Sequence, residues 1–533
     1  ETVATHRLPE KLSGGGSHQW GYVAFHNGRL FGTATMRGEL EEKLRRRGRV
    51  TDDTTDGIFA IDAEGGRHLW DYRGGEIAHH TVAINGDTIY FIDSSISSEQ
   101  RAAILVQDKK SFEGLSEGEI KEEEERLKNQ DVRLAVAIDA ATGEVKWSTP
   151  VDVTDCSEIG TGGGKLTLMV KDGVVLLCGA NANGHYWKQF MEGEFSRRRL
   201  VALSTEDGSL LWKKDANYRN RPIIAGELVF AEPWAFDLHT GAQKMRTHPL
   251  TGEQVPWSIM RSGHHCGMIT ASANMLLFRS GFTGFYDLEK DEGTSHFAGH
   301  RTGCWINAIA ANGLVSIPEA SAGCVCLFSI SSTIVMEPRP EREDWAIFSS
   351  VGANLPVAKM ALNFGAPGDR RDQGGTAWLA YPRPVPERKT GLDLALDLGV
   401  EFYAGGKFGF ESGDDAAPAG EVPGWVTDSG ARGLKSFAIP LRGEDDSPAD
   451  YRVRLHFAAP PTQQAPARTV DIRIQGDTVL EGLGVDAAHP LVREFEVVAV
   501  EDVLAIELVP TSGNPSATGL PVLTAIEVAR SGG

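Results

Sequence analysis

Six of the fifteen histidines stand just upstream of short apolar runs: His18, His79, His80, His264, His265 and His300. Imidazole is the side chain whose ordinary pKa lies nearest neutrality, so several brought together suit acid–base chemistry or metal ligation. His18 in HQWG and His264 in HHCG each lie ten residues before a turn position, and Trp20, Cys266 and Trp305 lie eight before theirs. Arg219 and Arg221 in YRNRPIIAG occupy a similar entry. Equivalent registers predict that these side chains converge, either as a wet polar channel or as a ring able to bind a ligand.

One reaction such a ring could perform is removal of the proton α to a uronate carboxylate. That step needs a His or Tyr base and a cation to neutralise the carboxylate. His265, His80, Tyr186 (beside His185) and Arg301 supply those types. A bound metal ion is a second option, although no His-x-His or His-Glu-x-x-His spacing fixes a geometry. Cys266, Cys304, Cys324 and Cys326 form a further candidate cluster. In an extended GCVC, Cys324 and Cys326 point the same way with Cα atoms roughly 6.5 to 7 Å apart, at the limit for a mutual disulfide. Pairing with Cys266 or Cys304, free thiols and a thiolate metal site stay open. Cys156 and Cys178 read as a third bridge or as core thiols.

The elements that must carry these residues are repeated. HNGRLFG, INGDTIYF, KDGVVLLC, AGELVF, SANMLLF and ANGLVSI place turn positions at Gly28, Gly86, Gly173, Gly226, Asn274 and Gly313. Asn-Gly and Asp-Gly supply the positive φ that two-residue hairpins require. A second phrase follows: GIFAIDAEGGRHLW, LAVAIDAATGEVKW, LVALSTEDGSLLW and a weaker PWAFDLHTGAQKM. Two hairpins make a four-stranded sheet, and such sheets repeated about an axis form a β-propeller, each burying its faces on its neighbours.

The phrase A-x-D-A-x-x-G-x-x-x-W resembles the repeat of the pyrroloquinoline-quinone-like propeller family, which includes quinoprotein alcohol dehydrogenases and a bacterial outer-membrane assembly lipoprotein. HRTGCWINAIAANGLVSIPEASAGCVC is similar to a segment of propeller proteins of planctomycete-type bacteria. The resemblance implies seven or eight blades where six repeats are visible. Degenerate copies near Trp345 and the N-terminus, or an upstream fragment or protein partner, would complete the ring. Quinone-binding members carry a vicinal Cys-Cys pair; this chain has none, which disfavours pyrroloquinoline quinone as cofactor.

Two polar insertions, 39–49 and 115–131, read as surface helices, the second with Ser116 and Glu119 placed as a capping box. The expected propeller spans 1–345, with a linker at 346–360. Beyond it, YRVRLHFAAP, TVDIRIQGDTVL, REFEVVAV, LAIELVP and PVLTAIEVA read as sandwich strands across 361–533. Their order resembles the malectin-like carbohydrate-binding family, in which the Asn363-Phe364-Gly365 segment belongs to the same jelly roll. The resemblance implies a glycan ligand, with Tyr403, Phe408, Phe410 and Trp425 as core residues or sugar platforms.

A net charge of −20 disfavours nucleic acid, and no run of some 18 apolar residues suits a membrane-spanning helix. The clusters Arg45–Arg47 and Arg197–Arg199 read as solvated loop charge. The chain starts ETVATHRL without Met, as a processed or partial chain would, and an even cysteine count permits a periplasmic or extracellular bacterial location. The resulting expectation is an all-β exported protein, a propeller followed by a sandwich, that recognises or processes carbohydrate in a lyase-like way. A non-catalytic glycan-binding or assembly scaffold and a metal- or quinone-dependent oxidoreductase are the alternatives.

Overall fold

The computed structural model describes residues 5–13, 16–36, 42, 54–108, 112, 114–128, 130–157, 165–179, 198–261, 266–291, 293–303, 306–319, 330, 332–339, 345–384, 392, 394, 396–410, 423–457, 468–485, 490–511, 520 and 522–531. The fold is all-β: propeller-type antiparallel sheets followed by a β-sandwich. The chain divides into two compact units, one of Glu1–Glu232 with Phe236–Ala242 and the other of Pro233–Ala235 with Gln243–Gly533.

Each of the six turn positions closes a hairpin. His18–His26 pairs with Arg29–Met36, Ala83–Asn85 with Thr88–Asp93, and Leu166–Lys171 with Val174–Gly179. Ile223–Ala225 pairs with Leu228–Ala231, Thr270–Ala271 with Met275–Ser280, and Ile309–Ala311 with Leu314–Ile317. Gly28, Gly86, Gly173, Gly226 and Gly313 all have positive φ, the conformation these turns demand.

In the first unit the second phrase explains itself. Asp139 Oδ1 accepts the N–H groups of Ala141 (2.9 Å) and Thr142 (3.0 Å), and Asp237 Oδ1 accepts those of His239 (3.0 Å) and Thr240 (2.8 Å). The aspartate thus builds the turn from its own side chain. The tryptophan reaches the following repeat. Trp70 Nε1 donates to Ala140 O (3.2 Å), Trp147 Nε1 to Thr205 O (2.9 Å) and Trp212 Nε1 to Leu238 O (2.9 Å). Gly143, Gly208 and Gly241 let each ring lie against the turn, since a Cβ there would sit 2.6 to 2.7 Å from an indole carbon. Phe31, Ile58 and Ala60 of one repeat share a core with Phe91, Val136 and Ile138 of the next. A large apolar side chain buried in this way is worth about 1.5–3 kcal/mol, and a single repeat could not supply both walls.

Two α-helices occur among the described residues, α1 (Ser98–Asp108) and α2 (Glu117–Lys128). Ser116 and Glu119 cap α2 reciprocally: Ser116 N donates to Glu119 Oε2 (2.8 Å) and Glu119 N to Ser116 Oγ (3.5 Å). α1 has the same device in Ser97 and Gln100. The 39–49 insertion lies outside the described residues apart from Glu42.

In the second unit the sandwich has two six-stranded sheets. Lys359–Phe364 pairs antiparallel with Ala525–Arg530 and parallel with Ala377–Tyr381, which seats the Asn363-Phe364-Gly365 segment inside one sheet. Phe364, Phe437, Tyr451, Val453, Ile472 and Ile506 fill the space between the layers. The tip of the 248–252 turn also enters this core. Leu250 is buried there, and its carbonyl accepts Ala358 N (2.8 Å) and Lys359 N (3.2 Å).

Candidate functional site

Of the described entrance residues His80 is exposed, His18, His79 and Arg221 are half-buried, and Arg219, His300 and Arg301 are buried. His18 begins its strand with Nδ1 2.9 Å from Ser17 Oγ. His79 and His80 sit on a single 3-10 turn, His79–Thr81. Thr81 fixes that corner, its hydroxyl donating to Ala78 O (2.7 Å) and accepting from Ile92 N (2.9 Å). His80 is exposed, whereas His79 packs its ring beside Gly21, where an added Cβ would be 3.3 Å from Cε1. The structure therefore brings His79 to the HQWG segment that carries His18. His264, His265, His185, Tyr186, Trp305, Cys304, Cys324 and Cys326 lie outside the described residues.

Several cations expected at a mouth are enclosed. Arg219 and Arg301 are 1% and 2% exposed. Arg221 is half-buried, close enough to Cys178 for its charge to favour the thiolate. The reading of 197–199 as solvated charge fails for Arg198 and Arg199, both buried. Arg198 lies 4.2 Å over the Tyr218 ring and donates to Arg219 O (2.8 Å). Arg199 is satisfied by Asp215 (2.9 Å) and Asp152 (3.2 Å). Burial explains why these guanidiniums are paired or placed on carbonyls and rings: an unpaired buried charge costs several kcal/mol, of order 3–5. His300 is a core residue as well, with Nδ1 3.1 Å from Thr283 Oγ1 and Nε2 3.1 Å from Ser332 O. Both of its nitrogens are occupied, which removes it from the reactive set.

Arg261, which the spacing did not single out, donates to Gly267 O (3.2 Å) directly after HHC and to Arg279 O (3.4 Å). Cys266 is a partly exposed free thiol; Cys156 and Cys178 are buried free thiols, so the core-thiol reading of that pair holds. Burial pushes the Cys156 and Cys178 thiols up. Among the described residues, no three His, Cys, Asp or Glu side chains converge as a metal site.

A different cluster lies on the sandwich. Trp345 and Trp425 meet edge to face (centroids 5.7 Å, 90°), Trp425 meets Trp378 likewise (6.2 Å, 87°), and Phe410 abuts Trp345 (6.1 Å, 85°). Arg370 lies 4.1 Å over the Trp345 ring and 5.6 Å from that of Trp425. Phe410 is 39% exposed, Trp345 and Trp425 are half-buried, and Trp378 is buried. Trp425 is held by the short Gly424–Val426 turn, and Phe410 ends the strand Glu401–Phe410. Asp428, close by, has its carboxyl raised by burial against the opposing pull of Arg370. Behind Trp378, His456 Nε2 donates to Glu527 (2.9 Å) and Arg454 adds a 3.0 Å bond. Burial alone would raise the Glu527 carboxyl; His456 and Arg454 hold it below its ordinary range.

The sequence offered Phe410 and Trp425 but grouped them with Phe408 and Tyr403, both half-buried and engaged within the sandwich. Phe408 packs between Phe364, Tyr381 and Phe402, and Tyr403 donates to Leu508 O (3.0 Å). Trp345 and Arg370 were not anticipated, because they come from segments flanking the apparent linker.

No family model matches the chain, and no curated protein matches it. Among solved structures it is similar to BamB from Moraxella catarrhalis, at 13% identity over 61% of this chain and 70% of that one, with a TM-score of 0.33. It is also similar to a β-glucuronidase from Bacteroides uniformis, at 14% identity over 50% of this chain and 28% of that one, TM-score 0.25. A third similarity is to the ANXUR2 extracellular domain from Arabidopsis thaliana, at 17% identity over 32% and 41% of the two chains, TM-score 0.23.

Proposed function

We propose that this chain is a carbohydrate-recognising protein whose sugar contact is the Trp345–Trp425–Phe410 face of the sandwich. The observation that carries the reading is the combination on one patch of partly exposed aromatic rings with the Arg370 guanidinium over Trp345. Apolar sugar faces stack on such rings while a few polar groups fix orientation through the hydroxyls. The resemblance of the strand order to malectin-like modules supports the same ligand class, and with it an exported location. No helix among the described residues is long and apolar enough to cross a membrane.

Recognition is favoured over a lyase-like activity because, of the described catalytic candidates, His80 alone is exposed while Arg301 is buried. Affinity electrophoresis of the full chain through a panel of embedded polysaccharides tests the proposal. At least one polysaccharide should retard the protein, and Trp425→Ala or Phe410→Ala should weaken that retardation about tenfold, the loss of roughly 1.4 kcal/mol expected for an aromatic anchor. Retardation unchanged in both variants would reject this face. Release of unsaturated uronate product, abolished by His265→Ala, would show instead that the protein cleaves its glycan.

A further inference from the structure

The second unit contains a cavity of about 450 Å³ whose wall carries four cations. Arg246, Lys290, Lys359 and Arg371 line it, and Asp291 is the one acidic side chain among its described lining residues. In a chain of net charge −20 this is a local reversal of sign. Asp291 lies 3.9 Å from Arg246 and is already engaged by Trp257 Nε1 (2.6 Å) and the Tyr286 hydroxyl. It therefore offsets Arg246, and Glu527 lies close enough to Lys359 to feel its charge, which leaves Lys290 and Arg371 as the cations without an acidic partner among the described lining residues. Arg371 is held in place by Gly375 O (2.8 Å) and the Phe348 ring (5.6 Å), and Lys359 Nζ by Thr376 Oγ1 (3.1 Å).

A second observation points the same way. His248 lines the cavity and is 1% exposed. Its Nδ1 accepts the backbone N–H groups of Leu250 (3.3 Å) and Thr251 (3.2 Å), which places the ring proton on Nε2. That Nε2–H, like Nε–H of Arg246, is buried with no hydrogen-bond partner among the described residues. Buried donors in folded proteins nearly always have an acceptor, supplied by protein, water or ligand. The four cations of the wall, set against one acidic side chain that is already engaged, suit an oxyanion, and the polar groups of Arg246 and His248 stand behind them.

We propose that this cavity binds a small organic anion, one or two sugar rings in size, through a carboxylate or sulfate group. The volume lies within the range of small-molecule sites and exceeds what an inorganic ion fills. Leu250, Met360 and Phe348 provide apolar wall for an organic body. The site is separate from the aromatic face and stands without it.

Calorimetric titration of the full chain with D-galacturonate, D-galactose and sodium sulfate tests the proposal. Galacturonate should bind at one site and weaken as NaCl is raised, because exposed charge pairs are screened. Galactose should bind at least tenfold more weakly. Lys290→Ala combined with Lys359→Ala, at two positions on the rim, should weaken galacturonate at least tenfold while leaving the urea midpoint unchanged. Trp425→Ala should have no effect. Absence of galacturonate heat, equal binding of galactose, or full binding by the double variant would overturn the proposal. Sulfate binding as tightly as galacturonate would overturn the organic part, and loss of galacturonate in Trp425→Ala would move the ligand to the aromatic face.

Discussion

Trp147 lies directly against Gly208 of the following repeat, with its indole nitrogen 2.9 Å from Thr205 O and its ring carbons 2.6 to 2.7 Å from where a Gly208 Cβ would stand. The contact is possible only because position 208 has no side chain and adopts a φ of +73°. It locks one sheet to the next through the tryptophan that three of the four copies of the phrase carry.

Gly208→Ala should accordingly be much more damaging than Gly173→Ala. Both glycines have positive φ, so both substitutions incur the backbone strain of about 1 kcal/mol. At Gly173 nothing lies within 4 Å of the new methyl, whereas at Gly208 it meets Trp147 and Thr149. Urea unfolding followed by tryptophan fluorescence should give a loss of about 1 kcal/mol for the first and about 2–4 kcal/mol for the second. Equal losses would mean that the tryptophan yields and the lock is weak.

The repeats were legible in the sequence because their signals are local: a glycine forced to positive φ, an aspartate or serine four residues before the glycine of the second phrase, and an aromatic at fixed spacing. The buried arginines were not. Arg198 and Arg199 belong to a basic triplet whose charge argues for solvent, and only the approach of Tyr218, Asp152 and Asp215 from other segments makes their burial affordable. The cation-lined cavity was invisible for the same reason. Arg246, Lys290, Lys359 and Arg371 come from segments 12 to 69 residues apart, and no periodicity connects them. For His300 the spacing left a structural and a ligand-binding role open, and its partners Thr283 and Ser332, equally remote in sequence, make it structural.

Asp369 should behave as a keystone of the second unit. Its carboxylate is fully buried and accepts Phe348 N (2.6 Å), Ala380 N (2.8 Å) and the Arg383 guanidinium, while Arg383 also donates to Phe348 O (3.1 Å). Removing one partner leaves a buried ion uncompensated, which typically costs 3–5 kcal/mol. Asp369→Ala and Arg383→Met should each lower stability by about that amount. The double variant should lose clearly less than their sum, because the second change removes the charge stranded by the first. Additive losses in a chemical-denaturation cycle would show that the pair is not coupled.

The buried thiols give a chemical test of the packing in the first unit. Cys156 and Cys178 are fully enclosed, and burial raises both above the ordinary thiol range, so neither thiolate nor reagent access is available in the native state. Native alkylation with iodoacetamide followed by peptide mass spectrometry should leave both unmodified, while the same treatment in urea should label both without a reductant. Labelling in urea that required prior reduction would reveal a bridge where the structure has two free thiols.

His296 should make the second unit sensitive to mild acid. Burial lowers its imidazole from 6.5 to about 4, with a hydrogen bond to the Ser280 backbone opposing the shift. Between these values the unfolded chain binds a proton that the folded chain refuses, so stability rises with pH across the window and falls as pH drops through it. The full displacement corresponds to on the order of 3 kcal/mol lost between about pH 7 and pH 4. His248, lowered by burial and by Arg246, adds to the loss with the same sign. Glu527 acts lower down: its depressed carboxyl contributes stability above the ordinary glutamate range and loses it as pH falls further. Urea midpoints measured at intervals from pH 7 to pH 4.5 should therefore decline in the wild type and decline less steeply in His296→Gln, with the curves converging at low pH. Parallel curves would show that His296 titrates freely in the folded chain and that its strand, Thr294–Phe297, is open to water.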